Sequence, residues 1–238
     1  MLDRDRKAIQ ERYRKRWHEF GLKSRTLGWN KDCQWVRFEA LLDGIRPTEI
    51  RSILDVGCGF GDLLGFLRDR GWSGRYTGID LMAEFTEAAR ALYGGDPEAR
   101  FICGDLQALP PDFSSDAAVA IGIFNHRVEQ GNLAFVRETI DAMWQATSAL
   151  VVCDFLSASA EAHRREDHLY YADVAEIQRL ASGYSRRYMV HHAYMPFEFQ
   201  LKIWHDDAFE VSAPVFAPYP HLASAQTKRR EDAGKAPE

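Results

Sequence analysis

The stretch SILDVGCGFGDLLGFL, residues 52–67, constrains the fold more than any other part of the chain. An apolar run of strand type leads into three closely spaced glycines, and an apolar pattern of helical period follows them. In a doubly wound sheet, ligands bind beyond the carboxyl ends of the central strands, where the first strand-to-helix turn is a frequent contact. Because glycine has no Cβ, a ligand can approach the main chain there. We therefore expect a ligand site at Gly57, Gly59 and Gly61.

Strand-type and helix-type segments alternate along the chain, which predicts an α/β fold. The expected architecture is a doubly wound, mostly parallel seven-stranded sheet with a C-terminal antiparallel hairpin. Strands are expected at RSILDV, GRYTGID, ARFICGD, DAAVAIGIF and SALVVCDFL, with the hairpin formed by RRYMVHHAY and EFQLKIWH. Residues 1–47 are expected to form a helical segment that covers part of the site, residues 48–218 the main domain, and residues 219–238 a disordered polar tail.

Composition disfavours several kinds of partner. The 238 residues carry a formal net charge of -5, which makes a phosphate backbone an unfavourable partner. No apolar run has membrane-spanning length, and the N-terminus lacks the apolar region of a signal peptide. The 4 cysteines are scattered without a zinc-binding pattern, so no metal is expected. We expect a cytoplasmic protein in which Cys103 and Cys153 are reduced thiols of the core.

The residues after the glycines indicate the class of ligand. A phosphate-binding loop needs a lysine after the last glycine, whereas this chain has Asp62 there. In a dinucleotide fingerprint, Asp62 would stand at the third glycine position and its carboxylate would repel a pyrophosphate. Asp55 adds negative charge just before the turn. The sequence therefore favours a phosphate-free ligand with a cationic end.

Acidic residues also follow the second and third predicted strands. Asp80 ends the second strand, where a carboxylate can accept hydrogen bonds from both hydroxyls of a ribose. Asp105 ends the third strand, where it can accept from an adenine amino group. Leu81 and Leu106 follow these acids and can enclose a flat base. This arrangement predicts an adenosine site.

Four segments resemble the motifs of the class I, Rossmann-like S-adenosylmethionine-dependent methyltransferases. They are LDVGCGFG, GID, GDL and FSSDAAVAIGIFN, and the likeness extends over about residues 28–205. The resemblance implies that S-adenosylmethionine is the cofactor, with Gly57 and Gly59 at its methionyl part, Asp80 at its ribose and Asp105 at its adenine. Gly122 and Cys58 are expected at the same site, where Cys58 is a packing residue rather than a nucleophile.

An upstream segment, GWNKDCQWVRF, resembles an entry segment of some small-molecule members of this class. The resemblance implies that Gln34 and Arg37 hold the cofactor carboxylate, Arg37 by a bidentate pair. The alternative is that Arg37 is an exposed helical charge.

A hydroxyl acceptor benefits from a general base, whereas a carboxylate or thiolate needs none. His192 and His126 are the candidate catalytic bases, because histidine titrates near neutral pH. Strand alternation places His192 and Tyr194 on one face, towards the substrate or packed under a helix. Asn125 and Tyr171 are expected to line the acceptor cleft, which the loop after the fourth strand, residues 160–171, the hairpin and the N-terminal helices enclose.

These observations predict a methyltransferase that acts on an oxygen of a small molecule or sugar. The sugar follows from a likeness of YYADVAEIQRLA and HHAYMPFEFQLKIW to methyltransferases of polysaccharide or secondary-metabolite assembly. One alternative is a nucleic-acid or protein methyltransferase, although the fourth-strand text GIFN differs from the pattern of base amino-methylases. Another is a non-catalytic regulatory or scaffold protein that binds the cofactor beside a closed acceptor cleft.

Overall fold

The structure, a computed structural model, describes residues 1–29, 33–45 and 47–206. Two helices, α1 and α2, precede an alternation of strands and helices, and two strands end the described chain. The elements are α1 Asp3–Phe20, α2 Cys33–Leu42, β1 Ser52–Val56, α3 Asp62–Asp69, β2 Arg75–Asp80, α4 Ala83–Tyr93, β3 Ala99–Cys103, β4 Ser115–Ala120, α5 Asn132–Gln145, β5 Thr147–Leu156, α6 Val174–Ala181, β6 Tyr188–His191 and β7 Glu198–Trp204.

The strands form one seven-stranded sheet in the order β3-β2-β1-β4-β5-β7-β6. Strands β1 to β5 are parallel, and β7 runs antiparallel to both β5 and β6. The predicted α/β architecture is confirmed. The chain winds outward from β1 to β3 and then continues from β4 in the other direction, so the switch point lies between β1 and β4.

The central strands are mostly apolar because the sheet is covered on both faces. All five residues of β1 are buried. Ile53 packs in the core on one side of the sheet, and its neighbour Leu54 packs in the core on the other side. This is the burial that continuous apolar runs indicate in a parallel sheet.

Two elements are shorter than their patterns predict. The helix expected from Tyr170 begins at Val174, because the Asp173 side chain accepts hydrogen bonds from the backbone N–H groups of Ala175 and Glu176 and caps the helix. The strand expected to extend through Tyr194 ends at His191, the last residue of β6 paired with β7.

Two expectations are therefore corrected. His192 and Tyr194 lie in the connection to β7, so strand alternation does not place them on a common face. Cys103 is exposed at the end of the edge strand β3, so the prediction that it is a thiol of the core is wrong. Cys58 and Cys153 are buried free thiols.

The predicted tail at 219–238 and the last part of the predicted main domain, 207–218, lie outside the described residues. None of the helices in the described ranges is long and apolar enough to cross a membrane.

Candidate functional site

A cavity of about 420 Å³ lies at the carboxyl ends of the central strands. It occupies the switch point of the sheet, where the sequence predicts a ligand. All the predicted cofactor residues except Arg37 line it: Asp55, Gly57, Cys58, Gly59, Asp80, Leu81, Asp105, Leu106 and Gly122. The residues that were predicted from local sequence patterns therefore surround one cavity.

The glycine turn after β1 presents its backbone to this cavity. Gly57 and Gly59 have φ angles of 77° and 54°, which favour glycine. A Cβ added to Gly57 would lie 2.3 Å from Cγ2 of Ile123, which itself lines the cavity. At Gly59 a Cβ would lie 2.9 Å from the Leu27 side chain. Any larger residue at either position would displace a neighbouring wall residue.

The Asp80 carboxylate is fixed at the end of β2. Oδ2 accepts a hydrogen bond of 3.0 Å from the Gly59 N–H, and Oδ1 accepts one of 2.9 Å from the Met82 N–H. Burial raises the pKa of Asp80 to about 6, although these backbone hydrogen bonds oppose the shift. The group therefore ionises near neutral pH, and a nearby cation or hydroxyl donor would stabilise its charge.

One further carboxylate, Asp55, lines this end of the cavity, and the charge of Asp62 acts on it. Asp55 is buried and accepts a hydrogen bond from the Tyr76 hydroxyl. Burial raises the pKa of Asp55 to about 7, and the charges of Asp80 and Asp62 act in the same direction. Asp62 itself accepts a hydrogen bond of 3.1 Å from Gln34, another cavity residue. Clustered acids of this kind favour a positively charged ligand.

Asp105 and Cys58 complete the wall near the ends of β2 and β3. Asp105 pairs with Arg6 of α1, and its Oδ1 accepts a hydrogen bond from the Gln107 N–H. Burial raises the pKa of the Cys58 thiol well above its usual value. A protonated, buried thiol is a packing group and a poor nucleophile.

Comparison with known proteins agrees with this geometry. A family model described as a methyltransferase domain matches residues 53–145. The Mycobacterium tuberculosis protein named "Putative methyltransferase Rv1506c" is 35% identical over 156 residues, which are 64% of this chain and 92% of that protein. The chain belongs to the S-adenosylmethionine-dependent methyltransferases of the Rossmann-like class.

Two other similar proteins, one alike in fold and one in sequence, have names that give different substrates. The crystal structure of magnesium protoporphyrin IX methyltransferase from Synechocystis PCC 6803, with bound S-adenosylhomocysteine, has a TM-score of 0.61 at 12% identity and covers 85% of this chain and 100% of that one. The tRNA U34 carboxymethyltransferase of Tolumonas auensis is 33% identical over 126 residues. That match covers 51% of this chain and 34% of the relative, so the chain spans about a third of that protein.

The cofactor S-adenosylmethionine fits the residues present. It joins an adenosine, whose ribose offers two hydroxyl donors, to a positively charged sulfur. The methyltransferase has an acidic cavity, a glycine turn that admits no Cβ at Gly57, and a buried carboxylate at Asp80. Among the described residues, no group of three or more His, Cys, Asp or Glu side chains is placed to hold a metal ion.

Arg37 lies outside the cavity wall. Its guanidinium pairs with Glu198, and its Nε lies 3.7 Å from Oδ2 of Asp154. It also stacks on the ring of Trp29, a cavity residue, at 4.3 Å from the ring centroid. Arg37 is 5% exposed, so the alternative of an exposed helical charge is wrong. Its predicted contact with the cofactor carboxylate stays a prediction, and Gln34, predicted with it, lines the cavity.

Of the two candidate histidines, only His126 lines the cavity. Its Nδ1 accepts a hydrogen bond of 2.9 Å from Arg12, because a guanidinium can only donate. Burial, together with the charges of Arg12, His168 and Arg16, lowers the pKa of His126 to about 4. The methyltransferase therefore holds a neutral His126 with its proton on Nε2, which is a hydrogen-bond donor and no base.

The other predicted catalytic and acceptor-binding side chains lie elsewhere. His192 is 2.9 Å from the Ser157 hydroxyl and stacks on Phe199. The Tyr171 hydroxyl accepts a hydrogen bond from the Glu166 N–H, and the Asn125 carbonyl accepts one from the Tyr170 N–H. The Tyr194 hydroxyl is buried without a hydrogen-bond partner among the described residues. Neither the described hairpin nor segment 160–171 contributes a lining residue, so the roles of His192, Asn125, Tyr171 and Tyr194 stay predictions.

Helix α1 supplies lining residues that were not among the individual residues predicted for the site. Ile9 and Tyr13 line the cavity, and Gln10 donates a hydrogen bond of 3.0 Å to the Leu81 carbonyl. Trp17 packs against Phe60 next to them. The four-residue spacing of Ile9, Tyr13 and Trp17 is the signal in the sequence: it marks one face of the helix, and that face covers the cavity.

Proposed function

We propose that this methyltransferase methylates an oxygen atom of a small molecule or a sugar. The observation that carries the proposal is the position of α1, whose Ile9 and Tyr13 line the cavity that the cofactor residues form. A cavity of about 420 Å³ that also holds the cofactor leaves room for a compact acceptor group. A sugar or small acid can enter such a space as a whole.

In this proposal the cofactor lies along the carboxyl ends of β1 to β3. Asp80 accepts hydrogen bonds from the ribose hydroxyls, and Leu81 and Leu106 enclose the adenine. The turn at Gly57 and Gly59 receives the methionyl part. The positions of these residues around the cavity support the assignment.

The bound cofactor supplies an electrophilic methyl group on a positively charged sulfur. The residues of the chain then have to orient the acceptor and exclude water. Tyr13 and Ile9 shield the space, and the Nε2–H of His126 donates a hydrogen bond to the acceptor and orients it. Because Arg12 occupies Nδ1, His126 does not remove a proton, which favours an acceptor oxygen that is already ionised.

A nucleic-acid substrate is less favoured by the charges on α1. Four of the basic residues of this helix have acidic partners. Arg4 pairs with Glu129, Arg6 with Asp105, Arg14 with Glu84 and Lys15 with Glu11. Side chains that are already paired bind a phosphate backbone weakly, because such binding comes from free cations that displace the counterions of the backbone.

Methyl transfer from isotope-labelled S-adenosylmethionine tests the proposal. The panel contains neutral sugars, sugar acids, sugar phosphates, phenols and bulk tRNA, with mass spectrometry of each product. We expect label on an oxygen of a small molecule, as a base-labile ester or a base-stable ether. Label on tRNA or on nitrogen would refute the proposal, and cofactor binding without any product would favour the scaffold alternative. The Asp80→Ala variant serves as the low-activity control.

A further inference from the structure

Two arginines of α1 stand beside the cavity wall without an acidic partner. Arg12 donates to Nδ1 of His126 at 2.9 Å, and Arg16 donates to the backbone carbonyls of Thr26 and Arg25. Within the described part of the chain, neither guanidinium pairs with a carboxylate, in contrast to the paired Arg4, Arg6, Arg14 and Lys15 on the same helix. Their positive charge is therefore left uncompensated at this wall.

Both charges act on residues that line the cavity. Arg12 and Arg16 each lower the pKa of His126, and each also opposes the upward shift of the pKa of Tyr13. The rings of Tyr13 and His126 are in edge contact, with centroids 6.0 Å apart. The charge of Asp80 acts on Tyr13 in the opposite direction, whereas the charges named at His126 all lower its pKa, so the positive charge acts chiefly at His126.

The opposite charge lies at the other end of the cavity. Asp55 and Asp80 line it at the carboxyl ends of β1 and β2, where the proposed cofactor site is. Asp55 and Asp80 therefore lie on the sheet side of the cavity, whereas the lining residue His126 carries the guanidinium of Arg12 on its Nδ1. A low-dielectric cleft with this separation of charge attracts a cationic group to one end and an anionic group to the other.

We propose that the α1 side of the cavity is an acceptor subsite for an oxyanion, at which the Nε2–H of His126 donates a hydrogen bond to a carboxylate or phosphate group and the guanidinium of Arg12, held on Nδ1 of the same ring, supplies positive charge. The inference deepens the proposed function, on which it rests, by assigning a negative charge to the acceptor. Arg12 acts as the charge, and His126 acts as a neutral donor next to it. The oxyanion is either the carboxylate that is methylated or a carboxylate or phosphate elsewhere on the acceptor.

Small anions test the subsite without knowledge of the full acceptor. Protein labelled in its histidine rings and saturated with S-adenosylhomocysteine is titrated with acetate and with inorganic phosphate, and the NMR signals of His126 are followed. These signals are assigned by their loss in His126→Gln. We expect a saturable change with either anion and none with glucose at the same concentration.

Matched variants separate a specific site from general charge. Arg12→Gln should weaken anion binding at His126 by about tenfold or more, because the positive charge beside the ring is lost while an amide donor to Nδ1 is kept. Arg12→Lys should keep most of the response, and Arg14→Gln should leave it unchanged, since Arg14 pairs with Glu84 at the surface. The absence of a saturable change, or an equal change in Arg12→Gln, overturns the proposal.

The panel of methyl acceptors then distinguishes whether the bound anion is the group that is methylated or a group elsewhere on the acceptor. A base-labile ester on a sugar acid means that the bound carboxylate is itself methylated, whereas a base-stable ether on a sugar acid or sugar phosphate means that the anion lies elsewhere on the acceptor. Preference for the neutral sugar over both charged ones contradicts the subsite. The binding titration does not depend on the acceptor atom, so methylation at nitrogen would refute the proposed function and leave the anion result standing.

Discussion

The backbone N–H of Gly122 donates a hydrogen bond of 2.6 Å to Oδ1 of Asp154. Gly122 lines the cavity, whereas Asp154 is buried in β5 next to Arg37 and Glu198. Burial raises the pKa of Asp154 to about 7, as does the charge of Glu198, against the opposing effect of Arg37. A buried ionic cluster of β5, β7 and α2 therefore anchors the loop after β4, which carries His126.

Removing this anchor should destabilise the protein. Asp154→Ala leaves the Gly122 N–H without its acceptor and takes one carboxylate from Arg37, so we expect the free energy of unfolding to fall by about 3 kcal/mol. Asp154→Asn keeps an oxygen acceptor and should lose less. Urea denaturation of both variants measures the difference. Equal stability of the alanine and asparagine variants would contradict the role of the Gly122 hydrogen bond.

The glycine turn offers a matched pair of substitutions. Gly57 and Gly71 have nearly the same φ, 77° and 79°. A Cβ on Gly57 would meet Ile123, but a Cβ on Gly71 would meet no atom within 4 Å. Gly71→Ala should therefore show only the backbone strain of about 1–2 kcal/mol. Gly57→Ala should lose more stability and also weaken S-adenosylhomocysteine binding, as measured by denaturation and calorimetry. Equal effects at the two positions would show that the Ile123 contact has no importance.

Cofactor affinity should depend on the carboxylate of Asp80. Asp80→Ala removes the acceptor for the ribose hydroxyls, and we expect the affinity for S-adenosylhomocysteine to fall by about 1–3 kcal/mol. Asp112→Ala, at an exposed position of the loop before β4, is the control and should bind normally. Calorimetry on the three proteins decides the matter, and unchanged affinity in Asp80→Ala would contradict the ribose assignment.

Cofactor affinity should also increase with pH. The pKa values of Asp80 and Asp55, raised to about 6 and about 7, mean that both carboxyls ionise as the pH rises through this range. Two ionised carboxylates bind hydroxyl donors and a cationic sulfur better than two protonated carboxyls do. S-adenosylmethionine should therefore bind more tightly at about pH 8 than at about pH 5. Asp80→Asn should flatten the lower part of the profile. A pH-independent affinity in the natural protein would contradict this assignment.

The stability of the ligand-free protein should show the opposite dependence. Asp55 has a folded-state pKa of about 7, well above its unfolded value, so the folded state retains a proton that the unfolded chain has released. This contribution to stability is lost as the pH rises from about 4 to about 7. Asp55→Asn should reduce the slope in a series of urea denaturations across that range. A slope that the substitution leaves unchanged would assign the effect to other groups.

Much of the cofactor end of the site was predictable from local sequence. Asp55, Asp80 and Asp105 each lie at or just after the end of a parallel strand, and the carboxyl ends of such strands converge on one edge of the sheet. The glycines after β1 are likewise specified by the turn that they form. Strand period and turn chemistry act over a few residues, so the sequence by itself determined the fold and the ring of acids around the cavity.

Only the tertiary structure decided which other side chains join them. Arg37 pairs with Glu198, 161 residues further along the chain, and thereby leaves the cavity wall. His126 meets Arg12 across 114 residues and so becomes a neutral donor, whereas His192 packs against Ser157 and Phe199. Such partners depend on how distant elements pack, and desolvation by that packing sets the charge state of each group. The periodicity of the sequence predicts neither these long-range partners nor the charge states that burial gives them.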